Sequence, residues 1–124
     1  MRGAASACAL IALLAGCVGG GPGQVASDDS YRLDAEGIAV LGSGQRIDFG
    51  RARDGVAQSM TRLRGTAPDM LVCNDPGMTA LAWSDGLDLV FVNGAFVGWW
   101  TNDISRTDSG DTRVGPTCSL ADAA

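Results

Sequence analysis

Residues 78–101 carry two dipeptides, Asp85-Gly86 and Asn93-Gly94, that favour tight reversal of the chain, each flanked by apolar and β-favouring residues. Both accept positive φ, as two-residue hairpin loops require. The stretch therefore predicts three antiparallel strands at about 78–84, 87–92 and 95–101. Two-residue loops would set the register, placing Val92 opposite Ala95, Phe91 opposite Phe96, Leu89 opposite Gly98 and Leu87 opposite Trp100. On the first hairpin, Trp83 would face Asp88 and Leu81 would face Val90. One sheet face then carries Leu87, Leu89, Phe91, Phe96 and Trp100 as a core. The other carries Leu81, Trp83, Val90, Val97 and Trp99 around Asp88, too apolar to meet water alone. Its cover is the first hairpin, the segment 107–120, or a partner. Tryptophan is favoured at partner hot spots, so Trp83, Asp88, Trp99, Leu81, Val90 and Val97 form a candidate binding surface.

Upstream, Ile38–Leu41 and the alternating Arg46-Ile47-Asp48-Phe49 flank the turn Gly42-Ser43-Gly44 and predict a small opening hairpin. After Gly50 the period changes. Ala52, Val56, Met60 and Leu63 recur at spacings of four and three, the stripe of an amphipathic helix that packs on the core face of the sheet. Gly65 and Pro68 supply its stop. The fold class expected is α+β, one amphipathic helix on an antiparallel meander of three or more strands. The run Thr112-Arg113-Val114-Gly115 echoes Arg46–Gly50 and reads as the start of a truncated second unit.

The N-terminus carries an address. Arg2 is followed by the apolar run Ala4–Leu14 and then by Leu14-Ala15-Gly16-Cys17, the pattern of a bacterial lipoprotein signal cut before Cys17. An ordinary secretory signal is the alternative. The run is shorter than the roughly twenty residues of a spanning helix, so acyl chains on Cys17 would anchor the mature chain to the membrane. Residues 1–16 are thus read as signal, 17–30 as a lipidated, Gly-rich tether, 31–120 as the folded domain and 121–124 as a tail. Thirteen flexible residues reach about 20 Å. The expected location is the bacterial cell envelope. Val18 is compatible with sorting to the outer membrane, facing the periplasm.

Loss of the signal leaves eight arginines against fourteen acidic residues, a formal charge of −6, which disfavours nucleic acid as a partner. Arg46, Arg51, Arg53, Arg62 and Arg64 crowd one segment, either a solvated helix face or a docking patch for an acidic partner or phosphate headgroup. Cys8 leaves with the signal and Cys17 takes lipid, so Cys73 and Cys118 remain as an even pair suited to a disulfide. Two free thiols or half a metal site are the alternatives. The chain contains no histidine, and neither cysteine has a second one nearby, which disfavours a metal.

The order Phe49-Gly50, Val56, Leu63-Arg64-Gly65, Pro68 and strands through Thr101 resembles the modules of barrel-assembly accessory lipoproteins and the β-lactamase-inhibitor-protein repeat. Ala52 stands where those families carry Ser or Thr at the helix start. The wording Ile47–Ala52, Trp83–Leu87 and Gly94–Trp99 is similar to small envelope lipoproteins of Rhodobacter-like marine alphaproteobacteria, sometimes labelled aspartate-semialdehyde dehydrogenase. The residues oppose that label. Such an enzyme is expected to use a reactive Cys assisted by His and a dinucleotide-binding domain, and the glycines here do not form Gly-x-Gly-x-x-Gly between a strand and a helix. The carboxylate pairs Asp85/Asp88 and Asp108/Asp111 read as solvated turn residues. Asp103, Asp108 and Asp111 do not match a calcium loop. No catalytic residue, metal or cofactor is expected. An envelope protein partner, bound by a structural or interaction module, is the leading reading; a periplasmic inhibitor or ligand-binding module using the Trp83/Asp88/Trp99 face is the other.

Overall fold

Asn93 and Gly94 adopt φ of 52° and 83°, the paired left-handed conformations of a tight two-residue reversal. In the computed structural model, which describes residues 30–120, this reversal joins Leu87–Val92 (β6) to Ala95–Thr101 (β7). Met78–Ala82 (β5) pairs with β6, Asp69–Val72 (β4) adds one edge and Arg113–Val114 (β8) the other, giving a five-stranded antiparallel sheet ordered β4-β5-β6-β7-β8. A separate three-stranded antiparallel sheet holds Tyr31–Asp34 (β1), Gly37–Val40 (β2) and Arg46–Asp48 (β3). The opening hairpin is β2 and β3, with β1 added before it. The echo between Arg46–Gly50 and Thr112–Gly115 amounts to two short strands in different sheets.

Between the sheets lies Arg53–Arg64 (α1). Gly65 closes it with φ 80° and its N–H donating to the Thr61 carbonyl, the left-handed stop that glycine takes without steric cost. Ala52 offers no side-chain cap; instead the Arg53 N–H donates to the Gly94 carbonyl at 2.8 Å. The reversal at Asn93-Gly94 thereby satisfies an orphan amide of the helix and fixes where the helix begins.

Val56 and Met60 are fully buried and Leu63 packs beside them, so these three face the core as expected, whereas Ala52, expected as the first member of the stripe, is exposed, precedes the helix and bridges Ala95. The three meet Leu81, Trp83, Leu87, Leu89, Phe91, Phe96 and Trp99 from the large sheet and Tyr31, Leu33, Ile38 and Ile47 from the small one. The Trp99 indole N–H donates to the Asp34 carbonyl at 2.8 Å, tying the two sheets together at the core.

The register departs from expectation in two places. Ser84-Asp85-Gly86 is a three-residue loop: the Trp83 N–H donates to the Leu87 carbonyl at 2.9 Å, the Gly86 N–H donates to the Trp83 carbonyl at 3.0 Å, and Gly86 sits at φ 105°. Leu81 therefore faces Leu89, and Asp88 faces Ala82 rather than Trp83. Past Phe96, β7 bulges at Val97. Gly98 then opposes Val90, Trp99 opposes Leu89, Trp100 opposes Asp88 and Thr101 opposes Leu87. One extra residue exchanges faces. Trp99 enters the core and Trp100 leaves it, the reverse of the expected arrangement.

Candidate functional site

The expected binding surface does not assemble. Leu81, Trp83 and Trp99 lie in the main core at 4%, 5% and 1% exposure, while Asp88, Val90 and Val97 are on the opposite face of the sheet. That opposite face is covered from within. Cys73, Met78, Ala80 and Val90 form a second apolar cluster, with Leu71, Val92, Val97 and Cys118 against it. The chain after β8 crosses this face as a strap. Its crossing point is Gly98 under Gly115: a Cβ on Gly98 would stand 2.6 Å from the Val114 carbonyl oxygen, and one on Gly115 2.4 Å from that of Val97.

The strap is locked by a disulfide between Cys73 and Cys118, whose Cα atoms are 5.2 Å apart. Beyond the disulfide, the Asn74 N–H donates to the Ser119 carbonyl at 2.6 Å and Cys73 bridges Leu120. Asp88 sits beside the strap, flanked by Ala82 and Trp100, and burial pushes its carboxyl above the usual range.

The five arginines scatter. Arg46 forks onto both oxygens of Asp34 at 2.8 and 3.0 Å and onto Asp48 at 2.7 Å. The Arg46 hydrogen bond holds the Asp34 carboxyl below its ordinary value. Arg51 donates to the Arg46 carbonyl, and Arg46, Arg51 and Arg62 line a cavity of about 720 Å³ between β3 and α1. Arg53 reaches the Thr79 hydroxyl on the large sheet.

Arg64 turns inward, its side chain 11% exposed, and borders a concavity at the end of the helix. The cavity, about 430 Å³, lies between the end of α1 and the β5–β6 loop, and its lining includes Tyr31, Arg64, Asp69, Trp83, Asp85 and Arg106. The Arg64 guanidinium lies 5.1 Å from the Trp83 ring centre and 5.7 Å from that of Tyr31, and the Arg106 guanidinium lies 4.3 Å from the Tyr31 ring centre. Arg64 donates through Nη1 to the Tyr31 hydroxyl and through Nη2 to Asp85 Oδ2. The Trp83 indole N–H is held by the Thr66 carbonyl at 2.9 Å. Burial raises the Tyr31 hydroxyl above the usual phenol range against the pull of the two arginines, so it stays protonated. Sequence reasoning missed this grouping because Tyr31, Arg64, Trp83 and Arg106 share no local motif.

Asp103, Asp108 and Asp111 form no ligand set. Asp103 accepts from the Ser105 N–H and hydroxyl at the head of the 3-10 turn Ile104–Arg106, and Asp111 accepts from the Ser109 hydroxyl. Among the described residues no cluster of His, Cys, Asp or Glu is grouped to hold a metal ion, and no helix is long and apolar enough to cross a membrane. Leu14, Ala15, Gly16 and Cys17 lie outside the described residues. No family model, curated protein or solved structure matches the chain.

Proposed function

We propose that the protein is a lipid-anchored module of the bacterial cell envelope, held by acyl chains on Cys17 at the periplasmic side of the outer membrane and acting by non-catalytic contact with another envelope protein. The observation that carries this reading is the Cys73–Cys118 disulfide. Such bonds persist in oxidising compartments, which is where a chain bearing Leu14-Ala15-Gly16-Cys17 is delivered. Because both thiols are consumed in that bond, neither is the free nucleophile that the dehydrogenase label would need.

Metabolic labelling with an alkyne fatty acid, followed by fractionation of envelopes, tests the anchor. The wild-type chain is expected to carry label and to sediment with outer membranes, and Cys17→Ala to lose both. A wild-type chain without label refutes the anchor. The contact is tested by crosslinked capture from envelopes, comparing wild type with Arg51→Glu/Arg62→Glu on the arginine-lined cavity. Tryptophan substitutions are unsuited to this purpose, since Trp83 and Trp99 are core residues. A single crosslinked envelope protein retained by wild type and lost with the variant supports docking there. Identical captures, or none, remove that cavity as the contact.

A further inference from the structure

The loop that joins β2 to β3 is exposed and carries no charge. From Gly37 to Gln45 the sequence has no charged residue, Leu41 at the start of the loop is 42% exposed, and the Val40 N–H donates to the Gln45 carbonyl at 2.9 Å to close it. Beside it opens the cavity of about 720 Å³ between β3 and α1, with Val40, Ile47 and Leu63 as apolar lining and Arg51 and Arg62 as cations. Among the described residues no carboxylate lines it. Arg51 and Arg62 are exposed; Arg51 donates one hydrogen bond to the Arg46 carbonyl, and among the described residues neither guanidinium has an ion pair.

The same end of the small sheet receives the chain from Cys17. The Leu41 N–H donates to the Ser30 carbonyl at 2.9 Å and Tyr31 pairs with Val40, so the tether joins the fold one strand away from Leu41. Two strand spacings, about 10 Å, separate that junction from β3 and its cavity. The tether therefore brings this end of the domain nearest the lipid. Arginine forks match phosphate oxygens, and an exposed leucine suits the boundary between headgroups and acyl chains. Two arginines and one leucine would hold a bilayer weakly if the domain were free. A short flexible tether makes the contact intramolecular, at an effective concentration on the order of millimolar. The domain is acidic as a whole, and Asp28 and Asp29 stand in the tether. At physiological ionic strength charges more than about 8 Å apart are largely screened, so the attraction is contact of two guanidiniums with phosphate and not a field of the whole protein.

We propose that the β2–β3 loop and the Arg51/Arg62 cavity dock on anionic phospholipid headgroups of the membrane that holds the anchor, the guanidiniums on phosphate and Leu41 at the acyl boundary. This rests on acylation of Cys17. It assigns the cavity to lipid, so contact with an envelope protein is made elsewhere, and capture is expected to be the same for wild type and Arg51→Glu/Arg62→Glu.

The test uses the acylated full-length protein with a nitroxide on Ser43→Cys, in the exposed loop, and a control label on Asp75→Cys, between β4 and β5. Each is reconstituted into vesicles of phosphatidylcholine alone and of phosphatidylethanolamine with phosphatidylglycerol. Flotation with the phosphatidylcholine vesicles reports the anchor. Access of an aqueous nickel chelate to the label reports docking. Label at position 43 is expected to be shielded in the phosphatidylglycerol vesicles only, to lose that shielding in Arg51→Gln/Arg62→Gln, and to differ from the control label, which stays open in both. A protein that floats while position 43 is equally open in both vesicles overturns docking and leaves the anchor standing. Shielding that survives the double substitution overturns the arginine assignment, as does an envelope protein captured through this cavity. Failure to float with phosphatidylcholine removes the anchor and the docking together. The comparison of the two vesicles with wild-type arginines decides the matter even if the double variant fails to fold.

Discussion

Replacing Cys73 and Cys118 together by alanine should remove a large part of the stability of this domain. The two residues are 45 apart in sequence. In the chain-entropy model, closing a loop of that length contributes about 4 kcal/mol by narrowing the unfolded ensemble. A domain of about ninety residues has roughly 5–13 kcal/mol in all, so the variant should stay folded at room temperature with a thin margin. At about 4–8 °C per kcal/mol, the melting temperature should fall by roughly 15–30 °C. The assay is urea unfolding followed by tryptophan fluorescence, with reduced wild type as a control for the missing sulfur atoms. A second, local effect separates the strap from the rest. With the cystine gone, the Asn74 amide, bonded to the Ser119 carbonyl, should exchange with solvent well before amides of β6, because the strap can lift without unfolding the main core. A stability loss below about 1 kcal/mol in both the variant and the reduced wild type would refute the loop-closure reasoning. Unchanged exchange at Asn74 would refute the strap.

Gly98→Ala should cost about 2 kcal/mol or more in the same unfolding assay, because its Cβ would meet the Val114 carbonyl oxygen at 2.6 Å and backbone cannot swing aside. Arg46→Gln should destabilise at neutral pH, and the difference from wild type should shrink as the pH falls below about 4: the Asp34 carboxyl is depressed in the folded state, so its contribution exists above the unfolded value and is lost as the pH falls through the folded one. A difference that persists in acid would assign the loss to packing. Asp88→Asn should stabilise the protein at pH 7 and not at pH 3, since burial raises this carboxyl and the stability it contributes is lost as the pH rises through its folded value; thermal melts at the two pH values check it. Iodide should quench Trp100 more readily than Trp83 or Trp99, which are 5% and 1% exposed, as single-tryptophan variants retaining each would report.

Local patterning carried the helix and the second reversal. Val56, Met60 and Leu63 repeat at helical spacing and Gly65 ends the run, and no longer-range contact competes with either signal. Asn93-Gly94 met its expected geometry because both residues tolerate left-handed φ and the flanking strands need no extra residue. Asp85-Gly86 has similar chemistry, yet Ser84 joins the loop so that the Trp83 N–H can bond Leu87, a choice made by packing Trp83 against the core. The bulge at Val97 had no local cue beyond Gly98, whose glycine is explained only by the strap lying on it. The β1 strand was legible in the alternation of inward Tyr31 and Leu33 with outward Arg32. The β4 strand was not, because Met70 and Val72 are 54% and 67% exposed on an edge and show no burial alternation. The even cysteine pair was visible by counting, but its purpose, pinning a cover over the second sheet face, required the fold.

The bulge and the strap depend on one another. Without the extra residue at Val97, Gly98 would oppose Leu89 on the core side, and the crossing of the chain would meet a side chain where it now meets bare backbone. The same residue turns Trp99 inward, where its indole N–H reaches the Asp34 carbonyl and joins the two sheets. One irregularity thus supplies the core with its largest fully buried side chain and clears the opposite face for the strap. With both faces of the large sheet occupied internally, Trp99 is closed off from solvent, and Trp83, 5% exposed, only borders the cavity at the end of α1. At the margin of the domain, the cavity at the end of α1 sets the Arg64 guanidinium against the aromatic rings of Trp83 and Tyr31. A chain this small stabilises its large sheet by covering both faces, one with the helix and the small sheet, the other with the disulfide-pinned strap.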